Sequence, residues 1–205
     1  LPMNWRGSPP EFDRDLAQLP IYASAAAYLG LNVTATWVLP VWPWPTVEPS
    51  PDPVGWHLGR LGPIIEILSQ HGITLALEVI GLPSAQKGSG NPFLHRHSQL
   101  PLLLNALHEP GRRLGILYDT FHLEASGESP DGLPELASSS PIAWAHLAEL
   151  PQRPPANLSE VTDRDRLLPG TRPDAPTRSA LAELHRLGFS GPVTIETFRV
   201  PTEYM

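Results

Sequence analysis

The sequence predicts an α/β fold: part of a parallel (β/α)8 barrel, carrying about the last five β/α units and lacking the first three strands. Three observations point there. Segments 31–38, 73–80, 114–121, 142–148 and 192–198 are apolar and bounded by turn signals, and read as strands. Helical patterns lie between them, and strict strand–helix alternation with short connections means a parallel sheet with helices outside it. Four of the segments each bring one metal-grade side chain to their C-terminal end: Glu78, Asp119, His146 and Glu196. A parallel barrel gathers its chemistry from several strands at that face.

The elements follow in order. Ser8-Pro9-Pro10-Glu11 is a capping box with proline at the first helical position, so a helix starts there. It runs through an alanine-rich stretch to Tyr28 or Leu29 and stops at Gly30. The 31–38 strand comes next. A second helix fits 53–71 and closes at Gly72, directly before 73–80. A third spans 98–108, before Gly111 and the 114–121 strand, and a short fourth covers 131–137. The last spans 177–187, stops at Gly188 and leads into 192–198. Pro20, Pro63 and Pro101 fall inside helical patterns, where proline kinks a helix or marks its first turn.

Alternation fixes where the key side chains point, because successive residues on a strand face opposite sides. In Ile73-Thr74-Leu75-Ala76-Leu77-Glu78 the large aliphatics share one face and Thr74, Ala76 and Glu78 the other. With the aliphatics packed on helices, Glu78 points into the barrel at its rim. The same rule groups Asp119 with Gly115 and Leu117, Glu196 with Thr194, and His146 with Ile142 and Trp144. Five units fall short of the eight strands and roughly 250 residues of a closed barrel. The chain also begins at Leu1. The expectation is one N-terminally truncated domain over residues 1–205, with a complete small open-sheet protein as the alternative.

Bulk properties exclude several classes. The 205 residues, 41% hydrophobic, suffice for a substantial single core. A formal charge of −7 with no basic block argues against nucleic acid as a partner. The absence of cysteine removes disulfides, thiolate catalysis and cysteine-held zinc. No apolar run approaches the roughly 18 residues of a membrane span and no signal peptide is visible, so a cytoplasmic location with no membrane partner is the default. The 26 prolines exceed the average share of about 5% and read as stiffening of loops such as 41–53 and 151–155.

Five motifs occur in order: Leu-Glu-Val-Ile-Gly (77–81), Tyr-Asp-Thr-Phe-His (118–122), Trp-Ala-His-Leu-Ala-Glu (144–149), Asp-Arg-Leu-Leu-Pro-Gly (165–170) and Gly-Phe-Ser-Gly-Pro-Val-Thr-Ile-Glu-Thr-Phe (188–198). Together they resemble the C-terminal part of a xylose-isomerase-like TIM barrel, of the sugar phosphate isomerase/epimerase group, over nearly the whole chain. The resemblance implies that Glu78, Asp119, His146 and Glu196 bind one divalent metal, with manganese ahead of magnesium, cobalt or zinc. It also implies that Glu78 and Glu196 act as acid and base on opposite faces of the substrate, and that His122 and Arg166 contact substrate oxygens. Two departures stand out. The family often has Pro-Gly-Glu-Gly where this chain has Pro169-Gly170-Thr171-Arg172, and an aspartate where this chain has Glu149.

The chemistry accounts for these residue types. Three carboxylates and an imidazole suit a hard-to-borderline divalent cation. Isomerising a sugar removes a proton beside a carbonyl, and a Lewis acid stabilises the resulting enediolate. One carboxylate moves the proton, and a second across the substrate plane allows epimerisation. The expectation is therefore a metal-dependent sugar, sugar phosphate or sugar-derivative isomerase or epimerase, whose partner is a small sugar or polyol-like substrate. A homo-oligomer is compatible with the sequence. Competing readings are a dehydratase of the same superfamily and a non-catalytic truncated barrel. Endonuclease-IV-like repair is disfavoured, since it needs more histidines and a basic face. Three other features read as follows: His95 and His97 as solvated or helix-capping, 87–91 as a loop over the site, and 37–45 as a pocket wall or partner surface.

Overall fold

The computed structural model describes residues 1–42, 52–87, 90–151 and 158–198. Its frame is one parallel sheet of five strands: β1 (Val33–Trp37), β3 (Thr74–Glu78), β5 (Leu114–Asp119), β6 (Ile142–Leu147) and β7 (Val193–Ile195). They lie side by side in chain order. Two short strands, β2 (Val41–Trp42) and β4 (Asn91–Pro92), form a separate antiparallel ribbon. The helices are α1 (Pro9–Tyr28), α2 (Pro53–Gln70), α3 (Pro101–Leu107), α4 (Thr120–Ala125), α5 (Leu133–Ser139) and α6 (Thr177–Arg186). The sheet is thus an arc of a (β/α)8 barrel, with β1 and β7 as its edges.

Local chemistry sets the boundaries. The Glu11 carboxylate accepts from both the backbone N–H and the hydroxyl of Ser8, at 2.8 and 2.7 Å, closing the box that starts α1. Asp52 caps α2 by accepting from Val54 and Gly55. Gly72, with φ near +73°, makes the left-handed step from α2 into β3 that a side chain would strain. Pro20 and Pro63 lie within α1 and α2, and Pro101 opens α3. No described helix is long and apolar enough to cross a membrane.

The core lies between the sheet and the helices. Leu75 and Leu77 of β3, Ile116 and Tyr118 of β5 and Ala145 of β6 meet Leu61, Ile64, Ile65 and Leu68 of α2, Leu103, Leu104 and Leu107 of α3, and Ala180 and Leu184 of α6. Burying each large aliphatic contributes about 1.5–3 kcal/mol. This leaves Thr74, Ala76 and Glu78 on the concave face, as alternation requires.

The structure departs from the sequence reading at several places, of which three bear on the site. The strands are trimmed at their ends. The segment read as the end of the 114–121 strand turns helical at Thr120, because the Asp119 carboxylate caps α4 by accepting from Phe121 and His122. On β6 the register against β5 shifts between Ile116 and Leu117, with Ile116 opposite Ile142 and Leu117 opposite Trp144. That bulge sends Ile142 to the helix layer while Trp144 and His146 face the concave side. His146 therefore does not share its face with Ile142. Trp144 in turn donates to Thr194 of β7 at 2.9 Å across the inner surface.

Candidate metal centre

Four strand ends deliver the site. Register places Asp119 directly beside His146 and Glu78 beside Leu117. Glu196 follows β7 and its backbone N–H still bonds Leu147 at 3.2 Å, so its carboxylate falls beside the same imidazole. One ligand atom from each of Glu78, Asp119, His146 and Glu196 lies within 4.8 Å of all the others. The His146 Nδ1 is 3.1 Å from Glu196 Oε2, 3.7 Å from Glu78 Oε1 and 3.8 Å from Asp119 Oδ2. The structure thus brings together all four residues singled out from the sequence.

The donor set fits a divalent cation. Three acidic side chains and one imidazole converge on a volume the size of an ion, and the surroundings hold more negative than positive charge. Burial, then the Asp119 and Glu196 charges, push the Glu78 carboxyl up to about 7, against the pull of His146. Burial disfavours the His146 cation, but hydrogen bonds to Glu196 and Glu78 outweigh it and push the ring up to about 9. Burial likewise opposes the Asp119 charge, yet the charge interactions with His122 and then Arg166, together with their hydrogen bonds, hold it well below the usual carboxylate range.

Arg166 and His122 stand against this cluster. The Arg166 Nη1 donates to Asp119 Oδ2 at 2.8 Å and lies 3.2 Å from Glu196 Oε2. Its Nη2 lies 3.0 Å from His122 Nε2, and its guanidinium packs 4.4 Å from the Phe121 ring. Because Nε2 accepts from an arginine, the proton of His122 sits on Nδ1. Burial, reinforced by the Arg166 charge, pushes this ring down to about 4 and keeps it neutral.

A cleft of about 520 Å³ opens on the centre. Glu78, Glu196, His122 and Arg166 line it, and Trp37, Leu39, Pro40, Val41, Ile80 and Phe198 form an apolar wall. The described part of 37–45 therefore walls the pocket, while Pro43, Trp44 and Pro45 lie outside the described residues. Gly88 and Ser89 of the 87–91 loop also lie outside them, and Asn91 belongs to the β2–β4 ribbon. His97 is buried against Tyr118, not solvated, and Glu128 accepts the backbone N–H groups of His97 and Ser98.

One contributor escaped the sequence reading. Asp163 lines the cleft, accepts from Arg166 Nε and Nη2 at 3.3 and 3.0 Å, and stands 3.7 Å from His122 Nε2. Within Asp163-Arg164-Asp165-Arg166 nothing local marks it off from Asp165, which instead accepts from Thr162.

No curated protein sequence matches the chain. Solved structures do. A xylose isomerase domain protein from Alicyclobacillus acidocaldarius is 25% identical with a TM-score of 0.81, over 99% of this chain and 68% of that one. The IOLI protein with a binding zinc atom is 21% identical with a TM-score of 0.72, over 97% and 64%. A D-tagatose 3-epimerase-like protein is 16% identical with a TM-score of 0.71, over 97% and 68%. The chain thus spans about two thirds of the length of these three structures. A family model described as xylose isomerase-like TIM barrel matches residues 3–204, and the chain belongs to that family.

Proposed function

We propose that residues 1–205 act as one domain of a metal-dependent isomerase or epimerase that moves a proton at the carbon beside the carbonyl of a sugar or sugar derivative. The observation that carries this reading is the pairing of Glu78 and Glu196. The two carboxylates come from β3 and the end of β7, three strands apart in the sheet, and both face the cleft. With the ion bound, Glu78 would be ionised and able to take the proton, and Glu196 would face the same carbon from the other side of the cleft. A substrate carbon held between them would be deprotonated by one and reprotonated by the other.

Glu78, Asp119, His146 and Glu196 would hold one divalent ion, with manganese as the first to test. When bound, it would supply Lewis-acid stabilisation of the charge that develops beside the deprotonated carbon. The chain's own residues do the rest. His122 and Arg166 line the cleft beside the two glutamates and would contact substrate oxygens. Trp37, Val41 and Phe198 form an apolar wall along one side of the cleft.

Structural neighbours named D-tagatose or D-psicose 3-epimerases make ketohexoses the substrates to try first. In the Mn²⁺-loaded protein in D₂O, deuterium should enter at a carbon beside the ketone. Glu78→Gln and Glu196→Gln should keep much of the metal and lose about 10²–10⁴-fold in exchange rate. Asp119→Asn and His146→Ala should lose activity chiefly by losing metal, with partial rescue by excess Mn²⁺. Wild-type exchange rates in both metal-loaded glutamine variants would show that another group moves the proton.

A further inference from the structure

Arg172 stands where the resembling family often has glycine, and its guanidinium has three partners: Glu124, the Leu150 carbonyl and, within its own loop, Asp174 at 3.2 Å. Its Nη2 donates to Glu124 Oε1 at 2.9 Å and its Nη1 to Glu124 Oε2 at 3.2 Å, a two-pronged pair in which the Glu124 side chain is only 3% exposed. The same Nη1 donates to the Leu150 carbonyl at 2.8 Å. Leu150 returns a backbone N–H to Glu124 at 3.4 Å. Glu124 lies on α4, the helix that Asp119 caps and that carries His122. Leu150 follows β6, the strand that carries His146.

The loop that brings Arg166 is tied at the same place. Leu167 and Glu149 exchange backbone hydrogen bonds at 3.0 and 2.9 Å. The buried Glu149 carboxylate accepts Gly170 N–H at 2.6 Å and Arg172 N–H at 2.8 Å. Gly170, with φ near +85°, supplies the left-handed turn that lets both N–H groups face one carboxylate. Arg166 directly precedes Leu167, so its Cα is set by this loop. Asp163 and the carboxylates of the centre then hold only its far end.

We propose that Arg172 is a positioning residue: its salt bridge to Glu124 locks the loop carrying Arg166 onto the helix that Asp119 caps and that carries His122. Glycine at this position could form the turn but not the lock. The two departures from the family pattern, Arg172 and Glu149, therefore belong to one device. The inference rests on the proposed function only for the use made of Arg166 and His122.

The test reads Arg166 itself, without substrate. In ¹⁵N-labelled protein the Arg166 Nε–H signal, assigned by its loss in Arg166→Lys, reports how firmly the guanidinium is held. Arg172→Met and Glu124→Gln should each speed its solvent exchange by about tenfold or more, the effect of losing a charged hydrogen bond. The double variant should be no faster than either single one. Arg172→Lys keeps the charge without the fork, is expected to fold, and should give an intermediate rate. If Arg172→Met fails to fold, the neutral pair Glu124→Gln with Arg172→Gln takes its place, with the same acceleration expected. A folded variant with a lowered melting temperature but a wild-type Arg166 exchange rate would make Arg172 structural only and overturn the proposal. Because no turnover is measured, this can fail while the proposed reaction stands, and the reverse.

Discussion

Loading the centre with a divalent ion should release protons, and the structure sets how many. At pH 7 the His146 ring, pushed up to about 9, carries nearly one proton, and the Glu78 carboxyl, pushed up to about 7, carries about half of one. Metal ligands must be a neutral imidazole and an ionised carboxylate, so binding displaces about 1.5 protons in all. The sign follows: affinity rises with pH. It should climb about tenfold per pH unit near pH 8, where His146 holds nearly all the remaining proton, more steeply at 7 and below, and level off above 9. Folding of the metal-free protein is linked oppositely. Both groups sit above their ordinary values of 4.5 and 6.5, so their stabilising contribution is complete below those values. It is lost as pH rises through about 7 for Glu78 and about 9 for His146. Titration calorimetry with Mn²⁺ at pH 7, in two buffers of different ionisation heat, counts the protons directly. Glu78→Gln should lower the count to about 1. A count near zero, with affinity flat from pH 6.5 to 8.5, would refute the reasoning.

Other perturbations test the surrounding shell. Arg166→Met leaves the buried Asp119 carboxylate without its guanidinium and should cost on the order of 3–5 kcal/mol in urea unfolding, part of it regained with saturating Mn²⁺. A loss below about 1 kcal/mol would mean that the pair is not coupled to folding. Gly81→Ala would drive a Cβ into the His122 carbonyl oxygen, so it should cost about 1–3 kcal/mol and move the His122 ring signals in NMR spectra. Unmoved signals would exclude that contact. The Thr120 hydroxyl donates to Ala148 O at 2.8 Å and accepts from Ala148 N–H at 3.1 Å, both buried. Thr120→Val strands both groups and should destabilise by about 1–3 kcal/mol, whereas Thr120→Ser should lose much less.

The convergence of Glu78, Asp119, His146 and Glu196 was legible because strand alternation is rigid. Once Leu75 and Leu77 face the helices, Glu78 can only face inward, and the ends of parallel strands lie at one level. His146 was legible as a member of the cluster but not in its setting, since the bulge between Ile142 and Trp144 resets the phase and leaves no mark in a run of apolar residues. Helix α4 was hidden for a related reason. Thr120-Phe121-His122-Leu123 has strand-like composition, and all six residues of α4 are buried, so it shows no amphipathic period. What makes it helical is the cap from Asp119 and its packing, both of which need the assembled sheet. Asp163 reaches the site by standing against His122 of a distant helix, and the Arg172–Glu124 lock spans 48 positions, separations over which local patterns carry no information.

Asp119 shows why the site lies where β5 becomes α4. Its two oxygens have separate tasks. Oδ1 accepts from Phe121 and His122 N–H groups at 2.8 and 3.1 Å and starts the helix. Oδ2 faces Arg166 at 2.8 Å and His146 at 3.8 Å. An aspartate is short enough to cap its own chain, and its second oxygen then has no freedom left to turn away from the centre. The cap also aims the N-terminal end of α4 at this carboxylate, adding backbone N–H groups to Arg166 in support of its charge. Ligand orientation, helix initiation and the placement of His122 thus come from one side chain. The Tyr-Asp-Thr-Phe-His motif can therefore be read as a unit: a strand residue packed on the helices, a carboxylate shared between cap and site, a threonine pinned to Ala148, a ring beneath Arg166, and an imidazole lining the cleft.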